Sequence, residues 1–144
     1  MNTMGNLKNS WYSLLSGGIM IDSVILNVYK EDVPEEETNH YVLIRAEGET
    51  DTSNKRSFRT ESVVIVDIVT TFENNVDSSV VDSIDNQIQA LVFNGPPLNN
   101  LSVQSGMQIL NVKAETTSYL PQEDGTKKFY RKVSRYRHTI FQIA

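Results

Sequence analysis

No cysteine occurs among the 144 residues, which excludes a disulfide framework and thiolate chemistry and fits a reducing compartment. Histidine is nearly as scarce: His40 and His138 stand alone, each without a second His or Cys at ligand spacing, so no metal site is expected. Glycine is too dispersed to cradle a phosphate. Gly17, Gly18, Gly48, Gly95, Gly106 and Gly125 form neither a Gly-x-Gly-x-x-Gly nor a Walker pattern, so no nucleotide cofactor is predicted. Gly-x-Ser-x-Gly is absent too, and the serines sit in ordinary turn or cap contexts. The longest apolar run, 63–66, is far below the ~20 residues that span a bilayer, and the first twenty residues lack a basic head followed by an apolar run. The expectation is a soluble, non-enzymatic chain without cofactor or metal.

What is present centres on residues 61–93. In ESVVIVDIVTTF, Val64, Val66, Ile68 and Phe72 alternate against Val63, Ile65 and Val69, predicting a central strand covered at least partly on both faces. From Ser79 the period becomes helical. Val80, Val81, Ile84, Ile88, Leu91 and Val92 form one stripe, with Asp82, Asp85, Asn86 and Gln89 opposite and Ser79 with Asp82 as a capping box. That stripe is expected to lie on the preceding sheet.

Taken in order, Leu7, Trp11, Leu14 and Leu15 predict a short helix ended by Gly17 and Gly18 and docked by Trp11. Strands are predicted over 23–29, 40–47, 61–72, 107–120 and 127–143. Residues 31–39, with Pro34 and the run Glu35, Glu36, Glu37, form a loop; 48–60, with Lys55, Arg56 and Arg59, are a mobile excursion or the extended tip of two strands. Residues 94–100 break the chain, and 121–126 form a hairpin turn with Asp124 and Gly125 as its central pair. With no repeat or linker, one domain over 1–144 is expected, long enough to bury roughly 68 to 70% of its unfolded surface. The fold class is α+β: a largely antiparallel sheet of about five strands with two helices packed on one face.

Charge is unevenly spread. Lys127, Lys128, Arg131, Lys132, Arg135 and Arg137 are six of the 13 basic residues, and no acid follows them, leaving seven basic against eighteen acidic residues in the first 126. Three arrangements fit: a nucleic-acid patch, complementary surfaces meeting between subunits, or pairing across the sheet. Alternation sends Arg131, Arg135 and Arg137 to one face and Tyr130 and Tyr136 to the other, which denies a nucleic acid a combined stacking and phosphate platform. Asp82 and Asp85 belong to a polar helix face and lack the apolar surroundings of an acid–base pair. Asp67 interrupts an apolar strand, so it should be paired, with Arg45 or Lys113 in cross-strand reach on the face away from the helices.

The order of elements resembles the tail-completion or tail-terminator proteins of tailed bacteriophages. The resemblance is carried by the N-terminal helix, VYKEDVP (28–34) leading to His40, Tyr41, Val42 and Leu43, and VIVDIVTTF (64–72); a helix ending Ile88, Gln89, Ala90, Leu91 and a last hairpin closing near Tyr136 complete it. It implies a virion protein, assembled in the host cytoplasm, whose hexameric ring caps the tail tube, ends its polymerisation and meets a head-side connector or neck protein, with DNA only as cargo through the ring. Another connector or neck ring is the nearest alternative; a nucleic-acid-binding module and a small enzyme lie further off. For a head-to-tail ring the expected contact residues are Lys55, Arg56, Arg59, Arg131, Arg135 and Arg137 on the basic side and Glu35, Glu36 and Glu37 on the acidic side.

Overall fold

The computed structural model describes residues 3–35, 37–51, 58–93, 101, 107–125 and 127–142. Helix α1 spans Thr3–Leu15 and is followed by two very short strands, β1 (Met20–Ile21) and β2 (Val24–Ile25). Strands β3 (Asn27–Lys30), β4 (Tyr41–Asp51) and β5 (Phe58–Phe72) lead to helix α2 (Ser78–Val92), and β6 (Met107–Asp124) and β7 (Lys127–Gln142) form the last hairpin. The main sheet has the order β3-β4-β5-β7-β6, and β1-β2 is a separate two-stranded ribbon.

The α+β class stands, with seven strands in place of about five because the predicted strand 23–29 is broken into β2 and β3 and a further strand, β1, precedes it. Asp22 and Ser23 adopt left-handed backbone, φ 51° and 65°, and turn β1 into β2 before β3 begins. β3 then pairs with β4 in parallel, the exception in an otherwise antiparallel sheet.

β5 lies between β4 and β7, as its two apolar faces require. Val64, Val66 and Ile68 join Val42, Ile44, Tyr136 and Ile140 in one buried cluster with Leu7, Trp11 and Leu15 of α1 and Val81, Ile84, Ile88 and Val92 of α2. Both helices therefore cover the same face. A fully buried aliphatic side chain here contributes roughly 1.5–3 kcal/mol. Trp11 docks α1 as expected: its ring is buried, and its Nε1–H donates to His138 Nε2 at 2.9 Å. Gly17, at φ 78°, closes the helix in a conformation that a side chain would strain.

Local expectations shift in four places. The N-cap of α2 is Asp77, whose side chain accepts from the Ser79 backbone N–H at 3.0 Å, so Ser79 is inside the helix. The hairpin turn centres one residue later than predicted, since Asp124 pairs with Lys127 and Gly125 takes φ 63°. Pro121 and its neighbours extend β6, where a proline is tolerated because β6 is an edge strand. β6 itself is mostly exposed, not half buried, because register shifts at Ile109/Asn111 and Ala114/Thr116 break its alternation. Of the segment 48–60, residues 48–51 and 58–60 are strand, with β4 and β5 paired out to Asp51 and Thr60, which fits the extended tip of two strands in the described part. Residues 52–57, with Lys55 and Arg56, lie outside the described residues, as do Glu36 and the breaker 94–100.

Candidate functional site

The face of the sheet away from the helices carries the charge asymmetry. Strand alternation puts Arg131, Val133, Arg135 and Arg137 of β7 there, level with Val69, Asp67, Ile65 and Val63 of β5. Two bulges flank them. Between Ala46 and Gly48 the extra residue is Glu47, and between Ala114 and Thr116 it is Glu115. Each bulge thus inserts one carboxylate beside the arginines.

Arg135 Nε donates to Glu47 Oε2 at 2.5 Å and its Nη1 lies 3.8 Å from Glu115. Arg137 donates to Glu115 through Nε and to Glu61 through Nη1 at 3.2 Å. These side chains are about one-third exposed, so solvent screens them and they orient one another more than they stabilise the fold. The hydrogen bond from Arg137 holds the Glu115 carboxyl below its ordinary range.

Asp67 is the buried member, 1% exposed, and Arg131 forks onto it through Nε and Nη2 while Arg45 Nη2 stands at 3.5 Å. Arg45 was foreseen as its partner, Lys113 is not one, and Arg131 is the stronger. The bond to Asp67 outweighs burial and raises the Arg131 guanidinium above its usual value. A carboxylate this deep requires such pairing, because an ionised group left alone there would be strongly destabilising. Arg45 Nε remains a buried donor without an acceptor. Four acids, Glu47, Glu61, Asp67 and Glu115, thus meet four arginines, Arg45, Arg131, Arg135 and Arg137, so these eight charges balance.

The other expected contact residues are scattered. Arg59 is exposed in β5, opposite Phe141 of β7, and Glu35 is exposed on the loop before β4. Glu37 is turned inward: it accepts from Asn27 Nδ2 and the Asn39 N–H, each at 2.9 Å, and from the Tyr29 hydroxyl. Burial works against its charge, yet these bonds hold the carboxyl below its ordinary value. It ties the loop to β3 and does not join Arg131, Arg135 or Arg137.

On the covered face, Asp82 stays exposed, as expected of a polar helix face, while Asp85 is drawn inward. Lys132 reaches α2 to donate to Asp85 Oδ2 at 2.8 Å and approaches Asp82 at 3.6 Å, under the Tyr119 ring at 5.1 Å. Although burial opposes the ammonium charge, the bond to Asp85 prevails and raises its pKa. His138 is a second hidden polar group: Nδ1 lies 3.0 Å from Ser62 O while Nε2 accepts from Trp11, which fixes a neutral ring with its proton on Nδ1. Burial pushes its pKa down to about 4, partly offset by the bond to Ser62.

Sequence reasoning missed Glu47, Glu61 and Glu115 as arginine partners. Alternation by itself sends Glu47 to the face of Arg45 and Glu115 to the face of Lys113, but it does not give the pairing register that matches each acid to its arginine. Among the described residues no group of three or more His, Asp or Glu side chains could hold a metal ion, and no helix is long and apolar enough to cross a membrane.

No protein-family profile and no curated protein sequence matches the chain. Among solved structures the fold is similar to a chain in the virion of a native gene transfer agent particle, with a TM-score of 0.66 and 16% sequence identity over 94% of this chain and 96% of that one. The chain thus shares, over nearly its whole length, the fold of a protein found in a virion particle.

Proposed function

We propose that the chain is a non-enzymatic virion protein of a tailed, phage-like particle, forming a hexameric ring that caps the tail tube, ends its polymerisation and joins the tail to a head-side connector. The observation that carries this reading is the fold likeness to a gene transfer agent virion chain, which runs from end to end of both. Its mechanism is steric and adhesive. One ring face accepts the tube protein, the other refuses a further tube subunit and accepts a neck protein, and DNA passes through as cargo. Assembly takes place in the host cytoplasm and the finished protein resides in the virion.

In this reading Lys55, Arg56, Arg59, Glu35 and Glu36 remain contact residues toward neighbours. Arg131, Arg135, Arg137 and Glu37 act inside the subunit first, because each has an acid or donor of its own chain to hold. The pairing of these arginines with acids of their own chain also weighs against a nucleic-acid module, which needs cations left over for phosphates. A connector or neck ring is the second reading, since the same likeness to a virion chain supports it.

Native mass measurement of the purified protein, alone and with tail tube protein, tests the proposal. A species of six chains that binds tube ends and stops their growth is expected. A protein that stays monomeric with tube protein present, or a ring that binds the connector and ignores tube ends, overturns the terminator role.

A further inference from the structure

Where the ribbon meets the end of β5 and the loop before β4, the surface is hollowed into a recess of about 240 Å³. Segments far apart in sequence wall it: Asp22, Val24 and Ile25 come from the ribbon, Asn39 and His40 from the loop, and Thr71 from β5. Its volume falls below the range of ordinary small-molecule sites and leaves room for one long side chain.

Two of its polar groups are fixed in place without a partner for their remaining capacity. His40 Nδ1 accepts the Thr71 backbone N–H at 3.0 Å, so the neutral ring carries its proton on Nε2, which has no acceptor among the described residues. Burial lowers the His40 pKa, with the nearby Asp22 carboxylate working the other way, and the ring lies beside Phe72 at a centroid distance of 5.4 Å. The one full charge in the wall is therefore Asp22, held at φ 51° by the tight turn between β1 and β2. Among the described residues no Lys or Arg forms an ion pair with it.

The surroundings add to that negative charge. Residues 31–39 include five acids, Glu31, Asp32, Glu35, Glu36 and Glu37, and no basic residue. The nearest lysines are engaged on α1: Lys8 pairs with Glu31 from there, and Lys30 reaches Asn9 and the Tyr12 ring. An excess of carboxylates around a concave site draws cations toward it. Val24 and Ile25, 60% and 57% exposed, supply an apolar side along which an aliphatic stem can lie while its charged head reaches Asp22.

We infer that the recess receives a lysine or arginine side chain carried on a peptide segment of a partner protein. The cation meets Asp22, the methylene stem covers Val24 and Ile25, and a backbone carbonyl of the same segment accepts the His40 Nε2–H. A peptide serves both polar groups at once. A free diamine brings the cation and lacks the carbonyl, and an anion is repelled by Asp22 and the acidic loop. The site lies within one subunit, so it goes beyond the ring proposal and stands without it.

The test titrates the isotope-labelled whole chain with the capped peptide acetyl-Gly-Arg-Gly-amide and follows backbone and imidazole signals by NMR. Saturable shifts centred on Asp22, Val24, Ile25, His40 and Thr71 are expected, with none from acetyl-Gly-norleucine-Gly-amide, which keeps the stem and lacks the charge. Asp22→Asn should weaken the arginine peptide about fivefold, as the loss of one exposed ion pair implies. Asparagine adopts left-handed backbone as readily as aspartate, so the turn keeps its shape. The absence of saturable shifts, equal binding by Asp22→Asn, or an equal response to the norleucine peptide overturns the cation site. Tighter binding of putrescine than of the arginine peptide overturns the peptide guest in favour of a free amine. Should Asp22→Asn unfold, the wild type decides: raising salt from about 0.1 M to about 1 M should weaken the arginine peptide about threefold, and an affinity indifferent to salt overturns the role of Asp22.

Discussion

The two faces of β5 are both largely buried, by opposite means. Toward the helices, Val64, Val66 and Ile68 meet the apolar stripes of α1 and α2 in a dry core. On the other side Val63, Asp67 and Val69 are nearly as inaccessible and Ile65 is half-buried, yet among the described residues no helix lies over them. Long arginine and glutamate side chains from β4, β6 and β7 roof that face, laying their aliphatic stems across the strand and joining their charged ends above it. One strand therefore shows that a face can be closed without a second layer. The roof differs from the core in being thin, solvated and adjustable by salt.

The sharpest contrast comes from removing one group on each face. Trp11→Ala should cost about 3–5 kcal/mol in denaturant unfolding, since it empties the core and orphans His138 Nε2. Asp67→Ala should cost about as much, for a different reason: it leaves Arg131 and Arg45 unpaired over a buried position. The two separate on repair. Replacing Asp67, Arg45 and Arg131 together by Leu, Met and Met should restore most of the loss, and failure to do so would mean that the charges themselves hold the face. Ile88→Ala comes next, at about 2–5 kcal/mol, with Leu91→Ala costing less because Leu91 is only half buried.

How much of this was visible beforehand depends on the kind of physics involved. The helix-covered face was legible because it rests on periodicity: Leu7, Trp11, Ile84 and Ile88 repeat at helical spacing and Val64, Val66 and Ile68 at strand spacing. Pairing of Asp67 was legible too, because a carboxylate in an apolar run has few alternatives. The roof was not, since alternation puts Glu47, Glu61 and Glu115 on that face without the register that matches each to its arginine, and the reach of Lys132 to Asp85 depends on how α2 lies over β7. The ribbon was hidden for another reason: its turn uses Asp22 and Ser23 where a hairpin signal would read Asn-Gly.

A smaller effect separates the faces by pH. His138 has a folded pKa of about 4 against an ordinary 6.5, so the unfolded chain binds the extra proton between those values. Its contribution is full above about 6.5 and is lost as pH falls toward 4, up to about 3 kcal/mol. His138→Gln should flatten that part of the stability profile; an unchanged slope would remove the histidine from the core's account. The smallest effect belongs to the roof: Arg135→Gln should change stability by less than about 1 kcal/mol and by still less at high salt.

The most direct measurement is the native mass of the wild-type chain with tail tube protein, followed from about 0.1 M to about 1 M salt, where the screening length falls from about 10 to about 3 Å. A ring whose arginines are satisfied within each subunit predicts about six times the 16.3 kDa chain mass throughout that range. A ring that falls apart to monomers at high salt would return the arginines to the interface, and monomers at every salt would contradict a ring altogether.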